Sequence, residues 1–224
     1  MKQSPSRDRR GRRPLVYRGV ALRCSLRLED AAFREGFVLV AGLDEVGRGA
    51  LCGPVVAGAV VLGKGFAADG IDDSKRLTAR QRERQAERIR REARAVGVGG
   101  AEPEEIDRLN ILRATQLAMR RALAALGLFP DLVLVDGHTE VPELGLPQRA
   151  IVKGDALSLS IAAASIVAKV HRDALMRESD RSYPGYGLAH NMGYGSEDHR
   201  EALRRLGPSR IHRRSFQGTQ PWLF

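Results

Sequence analysis

Two adjacent carboxylates, Asp44 and Glu45, follow the apolar run FVLVAGL at 37–43, and Gly47-Arg48-Gly49 follows them before a second apolar run begins. Two more apolar segments lead into single acids: LVLV at 132–135 into Asp136, and AIVKG at 150–154 into Asp155. In an open α/β sheet the crevice at the strand ends is where ligands bind. Carboxylates gathered there repel one another in a low dielectric, and their pKa values rise unless a cation neutralises them. Oxygen donors of this kind suit Mg²⁺ or Mn²⁺, and two such ions can stabilise both the attacking and the leaving oxygen in phosphodiester hydrolysis. No His or Cys nucleophile stands among these acids, so the reading is metal-dependent rather than covalent chemistry. Neighbouring residues of a regular strand point to opposite faces. The sequence therefore predicts that the strand ends or bulges between Asp44 and Glu45, with Gly47 and Gly49 supplying the backbone freedom. The plainer alternative is that Asp44 opens a turn and Glu45 is solvated; Asp136 and Asp155 at matching strand ends weigh against it.

The elements that must position these acids alternate in type. Residues 28–36 suit a short helix, 37–43 and 54–62 two buried strands, and 69–75 a polar turn. Thr78 is a good N-cap for a charged helix reaching about Arg94, whose seven Arg and three Glu from Arg80 onward read as a solvated face. A slim strand at 95–101 precedes a helix that opens at Pro103 and carries an apolar stripe as far as Gly127. Strands follow at 132–135 and 150–152. From about Leu157 to Glu178 a helix places Ala163, Ile166, Val167, Val170 and Ala174 on one face and Ser158, Ser165, Lys169, Arg172 and Asp173 on the other. A glycine- and aromatic-rich loop, YPGYGLAHNMGYG, separates it from a last helix at 197–206. An adjacent strand pair followed by alternation implies an α/β layer structure with a mixed sheet.

At 224 residues and 43% apolar content, one sizeable core is expected. The formal charge of +10 is concentrated: residues 1–27 hold nine Lys/Arg against Asp8, leaving about +2 on the rest. That segment reads as a disordered basic arm, able to bind phosphates without sequence preference. Cys24 and Cys52 form no CxxC and have no His at zinc spacing, which suggests a reduced, cytoplasmic setting. The longest apolar run, 50–63, is broken by Cys-Gly-Pro and falls short of the ~18 residues needed to span a bilayer. Arg18, Arg23 and Arg27 interrupt any leader-like core. The expectation is a monomer without a membrane contact.

Taken in order, DEVGRG, DSKRL, NILRAT, VDG, KGD, AAASIVAKVHRD, GYG and HRRSF resemble bacterial ribonuclease HII, a type 2 ribonuclease H, over about residues 40–216. The resemblance implies a ribonuclease H-like fold: a central mixed five-stranded sheet flanked by helices, with a C-terminal helical extension. The domain would be 28–216, between the arm at 1–27 and a tail at 217–224. It implies cleavage of the RNA strand of RNA/DNA hybrids and nicking of duplex DNA 5′ to embedded ribonucleotides, leaving 3′-hydroxyl and 5′-phosphate ends. Asp44, Glu45, Asp136 and Asp155 would hold two Mg²⁺ or Mn²⁺ ions. Asp173 is the rival for the fourth place, although it lies one turn from Lys169, where an ion pair is the ordinary explanation.

By the same resemblance, main-chain atoms of Gly47, Arg48 and Gly49 would touch the 2′-hydroxyl that separates RNA from DNA. Tyr194 would stack on the sugar of the next deoxynucleotide, while Tyr183 reads as a packing residue. Ser74, Lys75, Lys153 and Lys169 would contact phosphates. Asn191-Met192 departs from the family's usual His-Lys. His212, Arg213 and Arg214 are open between phosphate contact and internal packing. Gln220-Pro221-Trp222-Leu223-Phe224 resembles the Q-x-x-L-F peptides that bind the bacterial sliding clamp, through Gln220, Leu223 and Phe224; the alternative is that these residues cap the protein's own core. Two competing classes remain: a non-catalytic nucleic-acid-binding module, which has no need of clustered acids, and a nuclease of the same fold acting on DNA alone, which has no need of the GRG turn or Tyr194.

Overall fold

The computed structural model describes residues 24–71, 74 and 77–219; the expectations for 1–23, for Lys75 and for the 220–224 peptide lie outside these residues. Five strands, β1 (Val40–Val46), β2 (Val55–Val61), β3 (Ala95–Ala101), β4 (Leu132–Asp136) and β5 (Gln148–Ile151), form one sheet in the order β3-β2-β1-β4-β5. The first three pair antiparallel, while β4 runs parallel to β1 and β5 parallel to β4. Seven helices accompany them among the described residues: α1 (Arg27–Arg34), α2 (Ala79–Glu92), α3 (Pro103–Leu109), α4 (Ile111–Ala124), α5 (Leu159–Ser182), α6 (Leu188–Asn191) and α7 (Glu197–Leu206). None is long and apolar enough to cross a membrane.

β1 and β2 are buried along nearly their whole length, as expected for small and β-branched residues covered on both faces. On one face Ala41, Leu43, Ala57, Val133 and Val135 pack under α4 with Ala118, Ala122 and Leu123. On the other lies α5, and it lies very close. A Cβ on Gly42 would stand 2.1 Å from the Ser160 carbonyl carbon, and one on Gly58 would stand 2.4 Å from the Ala164 oxygen. Glycine in the strands and alanine in the helix are what bring α5 onto the sheet. Its N-terminus is tied to α1, where buried Glu29 accepts from the Ser158 hydroxyl at 2.6 Å and the Ser160 N–H at 2.9 Å.

Several boundaries differ from the sequence reading. β1 does not end or bulge between the adjacent acids: Asp44 pairs with Gly58 and Glu45 with Ala57 in a regular ladder. β2 extends beyond the point where β4 stops, so β1 has a partner to follow through both carboxylates. The helix expected from Pro103 to Gly127 is interrupted at Asn110, whose φ of 69° ends α3 and whose side chain caps α4 by accepting from the Arg113 N–H at 3.1 Å. β5 starts two residues earlier than expected, and Lys153, at a left-handed φ of 57°, turns the chain into a short 3-10 turn at 154–156. Cys24 is buried and Ser25 bridges to Ser158, so residues 24–27 belong with the folded body and not with the arm. At the other end Thr219 is buried and its hydroxyl donates to the Phe216 carbonyl, extending the body past 216.

α6, α7 and the segment after them form the expected helical extension. Met176 at the end of α5 packs there with Tyr186, Leu188, Ala202 and Leu203. Leu51 and Cys52, immediately after the GRG turn, belong to the same cluster.

Candidate active site

The register brings the acids together. Leu43 of β1 stands beside Val135 of β4, so Asp44 and Asp136 are the next residues on adjacent parallel strands, and Asp136 in turn pairs with Ile151 at the end of β5. Asp155 follows in the 3-10 turn. Alternation along β1 puts Asp44 on the α5 face, where a Ser165 hydroxyl bonds its carboxylate, and Ser165 is itself 3.0 Å from Ser74. Glu45 leaves on the α4 face and meets Arg48 at 3.0 Å. Asp44 also accepts the N–H of Glu45 at 2.7 Å, and Asp136 accepts that of Gly154 at 2.6 Å.

Burial, then Asp136 and Glu45, push the Asp44 carboxyl well above the ordinary range. Asp136 is raised by burial, then by Asp155 and Glu45. The four acids are thus electrostatically one site. A hard, oxygen-preferring divalent cation fits this donor set, because it removes the conflict that burial creates. Asp173, the rival ligand, is held by Lys169 at 2.6 Å. A separate trio, Cys52, His199 and His212, has donor atoms that all lie within 4.8 Å of one another.

The other residues singled out from the sequence divide. Tyr194 is 37% exposed, with Lys169 Nζ 6.0 Å and the Arg172 guanidinium 5.4 Å from its ring centre. Tyr186 is buried and donates its hydroxyl to Gly207, and Tyr183 packs on the same cluster. Ser74 is buried, and Lys153 is exposed at its turn. Asn191 bonds the Tyr186 carbonyl and the Gly193 N–H, so the departure at 191–192 builds a turn. Within the charged α2, Arg82 and Arg88 are only partly exposed and fold back onto carbonyls of Ser74, Ala67 and Asp69.

Two arginines that the sequence reading left unassigned organise the GRG turn. Arg172 and Arg213 are both 0% exposed. Arg172 donates to the carbonyls of Pro54 at 2.9 Å, Met192 at 2.8 Å and Cys52 at 3.1 Å. Arg213 donates to Gly53 at 2.9 and 3.0 Å and to Arg48 at 2.9 Å. The rigid five-donor fork of guanidinium suits this task. Gly47 makes room for it: its φ is +88°, and a Cβ there would stand 2.1 Å from Arg172 Nε. One signal was present in the sequence, since Arg172 lies four residues from both Ala168 and Met176 on a buried stripe of α5. Arg213 is thereby a packing residue, not a phosphate contact.

Residues 41–219 match the family model described as Ribonuclease HII. Over 198 residues the chain is 52% identical to a ribonuclease HII of Desulfitobacterium hafniense, covering 88% of this chain and 76% of the relative. It is 57% identical over 189 residues to one of Cereibacter sphaeroides, covering 84% and 89%. Among solved structures it superposes on ribonuclease H2 of Pyrococcus horikoshii with a TM-score of 0.69 at 28% identity, covering 81% of this chain and 95% of that one. It also matches a PCNA:RNase HII complex from Archaeoglobus fulgidus, at a TM-score of 0.65 and 29% identity over 75% and 88% of the two chains. The sheet order and its flanking helices define a ribonuclease H-like α/β fold. Within that class the chain belongs to the ribonuclease HII family: it is a hydrolase, an endoribonuclease of the kind that degrades the RNA of RNA/DNA hybrids.

Proposed function

We propose that this chain, besides cleaving the RNA strand of hybrids, nicks duplex DNA on the 5′ side of an embedded ribonucleotide and leaves 3′-hydroxyl and 5′-phosphate ends. The observation that carries the chemistry is the coupled acid set: Asp44 and Asp136 lie side by side on neighbouring strands, Asp136 raises the pKa of Asp44, and Asp155 and Glu45 raise that of Asp136. Asp44, Glu45, Asp136 and Asp155 would hold Mg²⁺ or Mn²⁺, two ions in the reacting complex. Bound ions neutralise the carboxylates and stabilise charge on the attacking and leaving oxygens of the phosphodiester.

The chain's own residues bind and orient. Gly49 faces open space, with no atom within 4 Å of a Cβ built there, so main chain is available for a 2′-hydroxyl to approach. The exposed ring of Tyr194 supports the sugar of the following deoxynucleotide, flanked by Lys169. Lys153, Lys169, Ser74 and Lys75 serve the phosphates on either side. The test is a DNA duplex carrying one ribonucleotide, beside an all-DNA control and a full RNA/DNA hybrid, each with Mg²⁺, Mn²⁺ or chelator. The first and third are cut only with a divalent ion, and Asp136→Asn cuts neither. Cleavage of the all-DNA control, or full activity of Asp136→Asn, overturns the reading. Because a relative is found with PCNA, Gln220, Leu223 and Phe224 are further proposed to anchor a sliding clamp. Equal clamp recovery with and without residues 220–224 would end that idea.

A further inference from the structure

Behind the Tyr194 turn lies a pair of buried histidines that phosphodiester cleavage does not use. His199 is on α7 and His212 in the closing segment, with their Nε2 atoms 3.1 Å apart. The partner at the far side of each ring fixes where the protons sit. His199 Nδ1 is 2.9 Å from the Tyr194 carbonyl oxygen, which can only accept, so Nδ1 carries the hydrogen and Nε2 a lone pair. His212 Nδ1 is 3.0 Å from the Ser209 main-chain N–H, which can only donate, so Nδ1 accepts and Nε2 carries the hydrogen. The contact between the rings is then an N–H···N bond from His212 to His199. Every hydrogen bond from the Ser209 main chain to Tyr194 then runs in one direction, and the Ser209 hydroxyl, 2.8 Å from the same His212 Nδ1, is a further donor to it.

Cys52 Sγ and one ring nitrogen of each histidine all lie within 4.8 Å of one another, and such a trio could also take a soft divalent ion such as Zn²⁺. Three features oppose that occupant. An ion would take the lone pair that His199 uses, and it would force the His212 hydrogen onto the nitrogen facing the Ser209 N–H. The Arg172 and Arg213 guanidiniums already stand beside the trio, on the carbonyls of Cys52 and Gly53. Burial pushes the Cys52 thiol up to about 12, away from the thiolate that a metal requires.

We propose that His199 and His212 are positioning residues for substrate discrimination: their directed hydrogen bonds fix the main chain of Tyr194 and hence the ring that supports the deoxy sugar beyond the ribonucleotide. The proposal rests on the reading of Tyr194 given above. The turn has other ties, among them Leu51 N–H to Gly193 at 2.7 Å and Arg172 to Met192. Tyr194 itself donates its N–H to the Asn191 carbonyl at 2.9 Å and accepts the Ser196 N–H at 2.8 Å on its own carbonyl; the His199 donor is the side-chain bond that α7 adds to that same oxygen. A misplaced ring harms the substrate that has an RNA–DNA junction at the site more than one that continues as RNA.

The test compares His199→Leu with His199→Asn, whose amide N–H replaces Nδ1–H, and His212→Leu with His212→Gln, whose amide replaces Nε2–H. The readout is the ratio of kcat/KM on a single-ribonucleotide duplex to that on a full hybrid, with the thermal midpoint measured alongside. Both Leu variants are expected to lower the ratio about tenfold, mainly through kcat, and the amide variants to restore it even where they are the less stable proteins. A merely structural role lowers activity on both substrates alike and follows stability, so an unchanged ratio in the Leu variants overturns the proposal. Tyr194→Ala separates the two levels: if it leaves the ratio unchanged, the reading of Tyr194 is what fails. Imidazole ¹⁵N shifts of the wild-type protein provide a check independent of any variant, with Nδ1–H expected on His199 and Nε2–H on His212. The opposite tautomers, or one equivalent of zinc that is lost in Cys52→Ala, rule the relay out.

Discussion

Asp44 sits where burial and two neighbouring carboxylates all oppose its ionised form. A carboxyl whose folded pKa lies above its unfolded value adds stability at low pH and loses it as pH rises through the folded value. In chelator at neutral pH, Asp44→Asn is therefore expected to raise the thermal midpoint while abolishing Mg²⁺-dependent cleavage, and differential scanning fluorimetry with a cleavage assay checks both. Each kcal/mol recovered corresponds to about 2–4 °C in a chain of this size. Mg²⁺ should stabilise the wild type and not this variant. Gly49 offers a second test free of folding effects. Its φ is not left-handed and a Cβ there meets nothing, so Gly49→Ala is expected to fold at least as well as wild type. If the main chain there touches a 2′-hydroxyl, KM rises about tenfold, the size of one missing hydrogen bond. An unchanged KM would remove Gly49 from the contact.

The extension formed by α6, α7 and the closing segment acts on the GRG turn through buried polar groups. Arg213→Met would strand the carbonyls of Arg48 and Gly53, a loss expected to reach about 3 kcal/mol. Arg213→Lys should fare little better, because a single ammonium cannot reproduce the fork; urea melts of both variants measure this. The histidine pair gives the extension a pH dependence. Burial and the neighbouring His199 push His212 down to about 4, and burial lowers His199. An unfolded histidine binds a proton near pH 6.5, so stability is intact above that value and falls as pH drops towards about 4, by about 3 kcal/mol when complete. His212→Gln should flatten this part of the stability profile. α3 and α4 show why an apolar stripe alone misleads: the pattern from Ile106 to Leu126 is continuous, but Asn110 takes a left-handed φ that ends one helix and caps the next.

Across the whole molecule, charge is unevenly spread, with +8 of the net +10 in the first 27 residues. Removal of residues 1–23 is expected to flatten the salt dependence of substrate binding by about 0.9 in log–log slope for each phosphate that the arm neutralises, without changing kcat. An unchanged slope would assign the arm no part in binding. How much of this was legible in advance depends on the range of the interaction involved. The alternation of helices and strands, Thr78 as a cap, Pro103 as a helix start and the acids near the ends of three strands were readable, because local propensity and periodicity set them. The motif resemblance supplied the family and the central sheet. By contrast, the path of β1 through Asp44 and Glu45 was decided by β2, which continues to pair where β4 has stopped. Arg172, Arg213, His199 and His212 are polar residues that pattern reading sends towards solvent. The partners of the arginines at residues 48–54 are distant in the chain, and only the packed extension brings them within reach and sets the two histidine rings against each other. The sequence by itself determined which acids are the candidates for the chemistry and which elements bear them. The tertiary structure decided how the turn at Gly47-Arg48-Gly49 is held, since burying a guanidinium or an imidazole is stable only where folding delivers a carbonyl or a lone pair to every N–H.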